Sequence, residues 1–164
     1  MSALWDPVRA LRVLNAHHVR FVVIGGFAGN LLGSPSITHD LDVCYERTRG
    51  NCDALARALA ELHATLRGAP PGLPFHLDGR TIFMGDSFTF DTDAGALDCL
   101  GTPSGTKGYA DLVAGAEKMV LHGMDLAVAS IDDVIRMKRA ADRPKDRIEV
   151  EVLTALKEER ERSS

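Results

Sequence analysis

The stretch that most constrains this 164-residue chain lies between Phe21 and Tyr45. It opens on the apolar run Phe21-Val22-Val23-Ile24, which reads as a buried strand. Gly25-Gly26 follow, where a backbone free of Cβ can turn sharply and let a ligand approach closely. Phe27 to Leu32 suits one or two helical turns, closed by Gly33 and Pro35. Thr38 then precedes Asp40-Leu41-Asp42-Val43. In a strand, residues two apart project from one face, so both carboxylates point one way while Leu41 and Val43 pack behind them.

Two like charges held side by side repel, and one would normally stay protonated. A divalent cation removes that conflict, because Mg²⁺ prefers hard oxygen ligands and often takes one or two protein carboxylates plus phosphate oxygens. A glycine turn for a triphosphate beside a carboxylate pair for metal is chemically coherent. The competing reading is a solvated strand end with two surface acids, and Asp-x-Asp alone is common enough to suit it. The Gly-Gly turn and the threonine favour the functional reading.

Composition narrows what else is possible. The length fits one domain over residues 1–164, with a helical segment over about 130–160. An apolar content of 45% is enough for a core. The formal net charge of −4 excludes the global basic field that drives tight nonspecific nucleic-acid binding. Cys44, Cys52 and Cys99 are odd in number and lack Cys-x-x-Cys spacing, so they read as buried thiols in a reducing compartment. The N-terminus has no apolar core segment of a signal peptide, and no apolar run approaches bilayer length. The expectation is a cytoplasmic protein without membrane contact.

Along the chain, Asp6-Pro7 suits the cap and first turn of a helix with Val8, Leu11, Val13 and Leu14 as its apolar stripe. His17-His18 reads as a polar connection rather than a ligand pair. Asn51 to Leu66 is the clearest helical pattern, with Leu55, Leu59 and Leu62 on one face. Gly68 to Pro74 is a loop rich in Pro and Gly. From Phe75 the pattern turns to β, with strands expected over Thr81–Met84, Phe88–Phe90 and Ala96–Leu100 and a turn over Asp91–Gly95. Asp98 sits among Leu97, Cys99 and Leu100, so a charge there needs a partner, whereas Asp91 and Asp93 suit a solvated turn. Gly101 to Gly108 holds glycine, hydroxyl and lysine but lacks the order of a Walker motif. A hairpin over Ala116–Leu121 and Leu126–Ala129, a helix over Ile131 to about Ala141 capped by Ser130, and a last helix over Ile148–Leu156 with a frayed tail complete the chain.

Gly25-Gly26 followed by Thr38-His39-Asp40-Leu41-Asp42 resembles the signature of the DNA polymerase β-like nucleotidyltransferase superfamily, and within it the AbiEii and MenT type toxins of toxin–antitoxin systems. The resemblance covers most of the chain from Phe21 onward. It implies an α+β nucleotidyltransferase fold, a mixed sheet flanked by helices. It also implies a third carboxylate on a later strand, matched here by Asp98 in preference to Asp91. The segment Arg136 to Arg147 holds six basic residues and two acids. On its own it suits a solvated helix face. It also resembles the Lys…Arg-Pro-Lys-Asp segment of these enzymes, which assigns phosphate contact to Lys138 and site arrangement to Asp146. Where many relatives carry arginine two residues before the threonine, this chain has Ser36.

The implied chemistry is Mg²⁺-dependent nucleotidyl transfer from a nucleoside triphosphate such as ATP to an acceptor hydroxyl. Asp40, Asp42 and Asp98 would hold two Mg²⁺ ions, and Gly25, Gly26 and Thr38 would cradle the phosphates. The expected acceptor is RNA, as for a tRNA-modifying toxin neutralised by an antitoxin protein. A small-molecule acceptor such as an aminoglycoside, a protein hydroxyl, or a non-catalytic nucleotide-binding module are the alternatives.

Overall fold

The computed structural model describes residues 4–70 and 77–164. Part of the Pro- and Gly-rich loop, and Phe75 at the start of the expected β region, lie outside the described residues. Helix α1 (Pro7–Ala16) begins as the sequence suggests, with the Asp6 carboxylate accepting from the Arg9 amide at 3.1 Å and Pro7 in the first turn. Leu11 and Leu14 are fully buried beneath it. His17 and His18 then turn the chain, His18 in the left-handed region at φ 57°.

Strand β1 (Phe21–Ile24) is buried at all four positions. It leads directly into α2 (Gly25–Leu32), so the glycine pair forms the first turn of the helix rather than a separate turn before it. Gly33, at φ 118°, ends that helix. Strand β2 (Asp40–Tyr45) runs antiparallel to β1. Leu41 and Val43 are buried while Asp40 and Asp42 are half-buried on the opposite face, as the period of two requires.

Several elements depart from expectation. The helix expected over Asn51–Leu66 is α3 (Arg49–Glu61), capped by Thr48. His63 turns at φ 51°, and Thr65–Leu66 become a short strand, β3. Thr81–Met84 is not a strand but the end of α4 (Gly79–Met84). Asp78 caps it by accepting from the Thr81 amide at 2.8 Å, and only Ile82 needs burial. A local cap outweighs the β propensity of three residues here. A Cβ on Gly79 would lie 1.8 Å from Asp53 Oδ1, so glycine lets α4 approach α3 this closely.

Strands β4 (Ser87–Thr92) and β5 (Gly95–Leu100) form a hairpin whose turn is shorter than expected, and α5 (Tyr109–Gly115) leads to the hairpin of β6 (Glu117–Leu121) and β7 (Met124–Val128). The seven strands form one mixed sheet in the order β3-β4-β5-β2-β1-β7-β6, with β2–β5 and β1–β7 parallel and the other pairs antiparallel. Helix α6 (Ile131–Ala141) starts under a Ser130 cap and buries Val134, Ile135 and Met137. The last helix, α7 (Pro144–Arg162), is longer than the expected Ile148–Leu156. Its charged end stays helical to Arg162, with Lys157 paired to Asp132 at 2.7 Å and Arg160 to Glu117 at 2.8 Å. None of the described helices is long and apolar enough to cross a membrane. Cys44, Cys52 and Cys99 are all free and buried, and burial pushes the Cys44 thiol up to about 12.

Candidate active site

The parallel register of β2 and β5 sets Asp42 directly beside Asp98. On its other side Asp42 faces Ile24, the last residue of β1, and so the start of α2. Asp40, two residues earlier on β2, shares the Asp42 face. Local sequence puts two of the carboxylates together, and sheet pairing across more than fifty residues brings the third.

Gly25 begins α2 at φ 70°, and a Cβ there would lie 2.1 Å from Asp42 Oδ2. Both the backbone conformation and the closeness of the carboxylate demand glycine. A Cβ on Gly26 would lie 2.9 Å from Thr38 Oγ1, which places the threonine against the same helix start. No side chain caps that N-terminus, and helix N-termini favour anions.

Electrostatics set the carboxylates against one another. Burial, the charge of Asp98, a hydrogen bond with Asp98 and the charge of Asp40 together push the Asp42 carboxyl from 3.8 up to about 7, against the pull of Lys138. Three hard oxygen donors that repel one another suit Mg²⁺ or Mn²⁺. Among the described residues no three His, Cys, Asp or Glu side chains are placed to hold a metal ion by themselves. The remaining ligands must come from phosphate oxygens and water, as is usual for Mg²⁺. The donor set therefore fits a divalent ion that arrives with a phosphorylated ligand.

Lys138 on α6 lines the site, only 15% exposed, with Nζ 3.8 Å from Asp146 Oδ1. Asp146 is 1% exposed and binds Arg143 through its side-chain Nε at 2.6 Å and backbone amide at 3.1 Å. Burial alone would raise the Asp146 carboxyl, but the Arg143 hydrogen bonds and the Lys138 charge outweigh it and hold the carboxyl below the usual range. Asp146 therefore fixes the two cations of the α6–α7 junction.

Two cavities open on either side of Asp42, and both are lined by Asp42, Lys138 and Arg143. One, of about 260 Å³, combines apolar walls from Ile24, Leu100, Pro103, Val134 and Met137 with the polar groups of Asp42, Ser104, Lys138, Arg143 and Asp146. The other, of about 250 Å³, is polar and contains Gly26, Thr38, Asp40 and Lys145. Every residue singled out from sequence for the site lies in or against this region: Gly25, Gly26, Thr38, Asp40, Asp42, Asp98, Lys138 and Asp146.

Sequence reasoning missed three residues. Arg143 was legible only as part of a basic run. Glu149, on α7, accepts from Ser34 Oγ at 2.8 Å and also from Ser36 Oγ. This ties the loop that carries Thr38 to the last helix, and Ser36 serves that contact. Arg67, just past β3, donates to Asp98 Oδ1 at 2.9 Å, and no sequence pattern announces it.

No protein-family model matches the chain, and no curated protein resembles it in sequence. Solved structures do. The lincosamide antibiotic adenylyltransferase LnuA, in its lincomycin-bound form, superposes with a TM-score of 0.63 at 11% identity, covering 92% of this chain and 95% of that one. A nucleotidyltransferase candidate from Thermotoga maritima gives a TM-score of 0.55 at 17% identity, over 96% and 97%. The antibiotic-resistance factor ANT(2'')-Ia gives 0.54 at 17% identity, over 96% and 94%. It also has a structure in complex with adenylyl-2''-tobramycin. The shared feature is the fold: this chain has the nucleotidyltransferase fold over nearly its whole length.

Proposed function

We propose that this nucleotidyltransferase-fold chain transfers a nucleotidyl group from a nucleoside triphosphate to the hydroxyl of a small molecule. The observation that carries the reading is the register pair Asp42–Asp98, with Asp40, packed against the glycine start of α2 and faced by Lys138. Asp40 and Asp42 would hold Mg²⁺, with Asp98 beside them. When bound, the ion would draw negative charge from the phosphates and lower the barrier to in-line displacement.

The chain's own groups supply the rest. The α2 N-terminus and Thr38 bind phosphate oxygens on the polar side. Lys138 and Arg143 neutralise charge that builds on the departing phosphates. The acceptor hydroxyl oxygen bonds to the α-phosphorus as the bond from that phosphorus to the β-bridging oxygen breaks. Pyrophosphate leaves, and a site carboxylate takes the hydroxyl proton. Asp146 and Glu149 orient the cations and the Thr38 loop without touching the reacting atoms.

The choice of acceptor rests on charge. The basic segment that suggested RNA is largely neutralised within the fold. Arg136 pairs with Asp111 and Asp133, Lys138 and Arg143 with Asp146, and Arg147 with Asp142. Among the described residues only Arg139 and Lys145 of that segment lack an ion pair. An RNA-binding face needs several cations open to phosphates. The Asp42 cavity, apolar walls with a few convergent polar groups, suits a compact organic acceptor better, and LnuA and ANT(2'')-Ia offer precedent for such acceptors in this fold.

Incubation with α-labelled nucleoside triphosphates and Mg²⁺, in parallel with a panel of hydroxylated antibiotics and with total RNA, tests the assignment. Label in a small-molecule product that disappears in Asp40→Ala supports it. Label in a tRNA-sized band instead restores the toxin reading that the resemblance suggested, with an antitoxin as partner.

A further inference from the structure

The third carboxylate of the cluster is already held by a cation of the protein's own. Arg67 follows β3 at the sheet edge, and its backbone amide donates to Thr89 O at 2.9 Å, which fixes its Cα beside β4. Its Nη2 donates to Phe90 O at 2.9 Å and to Asp98 Oδ1 at 2.9 Å, while Nε donates to Asp91 Oδ1 at 3.3 Å. The guanidinium is thus fixed from its backbone to its tip, and a planar fork held at several points loses little freedom in binding a carboxylate. The other groups on Asp98 are the Asp42 carboxyl and, across β4, Thr89. Asp42 and Asp98 therefore differ: one faces Lys138 and the α2 start, the other faces a resident cation.

We propose that Arg67 stands in for one of the two metal ions that the fold implies, so that the site loads a single divalent ion, held by Asp40 and Asp42 together with the triphosphate. This rests on the nucleotidyl-transfer reading and refines it. A second ion would need Asp98 as a ligand, and there it would sit beside the Arg67 guanidinium. Two cations on one carboxylate repel, and the guanidinium cannot lose its proton to make room. The guanidinium is tethered by the Phe90 carbonyl besides its carboxylates, so it does not swing away at little cost. Its guanidinium balances the Asp98 charge permanently, whereas the Asp40 and Asp42 charges await the ion that comes with substrate. On this proposal one ion and one arginine take the place of the two ions that the resemblance implies.

The test is metal stoichiometry, read without turnover. Protein saturated with a non-hydrolysable nucleoside triphosphate is titrated with Mn²⁺, and bound ions are counted by electron paramagnetic resonance and by calorimetry. The wild type should bind one Mn²⁺ per chain, with no spectrum of a coupled ion pair. Arg67→Gln keeps an amide donor on a similar stem and removes the charge. It should admit a second Mn²⁺ and show the coupled-pair spectrum, and Asp98→Asn added to it should abolish that second ion. Arg67→Lys, which keeps the charge, should remain at one ion, and far-UV circular dichroism checks that each variant folds. Two ions in the wild type overturn the proposal, as does a single ion in folded Arg67→Gln. Failure of the wild type to bind Mn²⁺ with the analogue at all would remove the nucleotidyl-transfer reading itself.

Discussion

Asp42→Asn should make the metal-free protein more stable at alkaline pH while destroying its activity. The wild-type carboxyl is pushed from 3.8 to about 7 by burial and by Asp98 and Asp40. The folded chain therefore holds this proton more tightly than the unfolded chain does. Its contribution to stability is full below pH 3.8 and is lost as pH rises through about 7. At ~1.4 kcal/mol per pH unit, three units set a ceiling of about 4 kcal/mol. For a chain of this size that corresponds to roughly 10 °C in melting temperature. The asparagine keeps the shape and can still hydrogen-bond Asp98, but it has no charge to lose. Thermal melts at pH 5 and pH 8.5 in EDTA read the effect. His17 and His63, each paired with a carboxylate, are common to both proteins, so the difference between variant and wild type isolates position 42. The variant should already melt a little higher at pH 5, where about 1.2 of the three units (roughly 1.6 kcal/mol) is lost, and the gap should more than double at pH 8.5. Mg²⁺ with a non-hydrolysable triphosphate should raise only the wild type. Equal pH dependence in the two proteins would refute the account of a strained carboxylate cluster.

Asp98→Ala leaves the Arg67 guanidinium without its site carboxylate and Asp42 without its hydrogen-bond partner, and should cost about 100-fold in transfer rate through misplacement of the site, whereas Asp91→Ala, which removes an exposed 3.3 Å ion pair, should change rate and stability little; a reversed ranking would mean that the wrong strand position had been assigned to the site. Gly25→Ala places a Cβ 2.1 Å from Asp42 Oδ2 in a left-handed backbone conformation, and should lose Mg²⁺-dependent triphosphate binding by calorimetry while retaining its far-UV circular dichroism. Asp146→Ala leaves Lys138 without its buried partner and should cost about 3 kcal/mol in urea melts, with Glu149→Gln costing less because an amide oxygen still accepts from Ser34.

How much of this was legible beforehand follows the range of the interactions. The strand, the glycine pair and Asp40-x-Asp42 are contiguous, so the same-face geometry could be read from spacing alone. The caps of α1 and α6 were legible for the same reason: Asp6 and Ser130 act within three residues. Asp98 was visible as a charge in an apolar strand, but its register with Asp42 depends on a parallel pairing that no local pattern specifies. Arg67 was hidden because the helix was expected to run through Leu66. Only the turn at His63 and the pairing of Thr65 with Asp91 bring the arginine to β5. The basic run from Arg136 misled in another way. Its composition was read correctly, yet Asp111 and Asp133, which neutralise Arg136, cannot be recognised as partners until the fold is known.

A crystal of the protein grown with a non-hydrolysable nucleoside triphosphate and Mn²⁺ puts the central claim to its most direct test. An anomalous peak coordinated by Asp40 and Asp42 is predicted, with phosphate oxygens completing its shell, the triphosphate lying along the start of α2 and Lys138 turned toward it. Nucleotide bound elsewhere, or bound at this site with no metal on Asp40 and Asp42, would contradict the account.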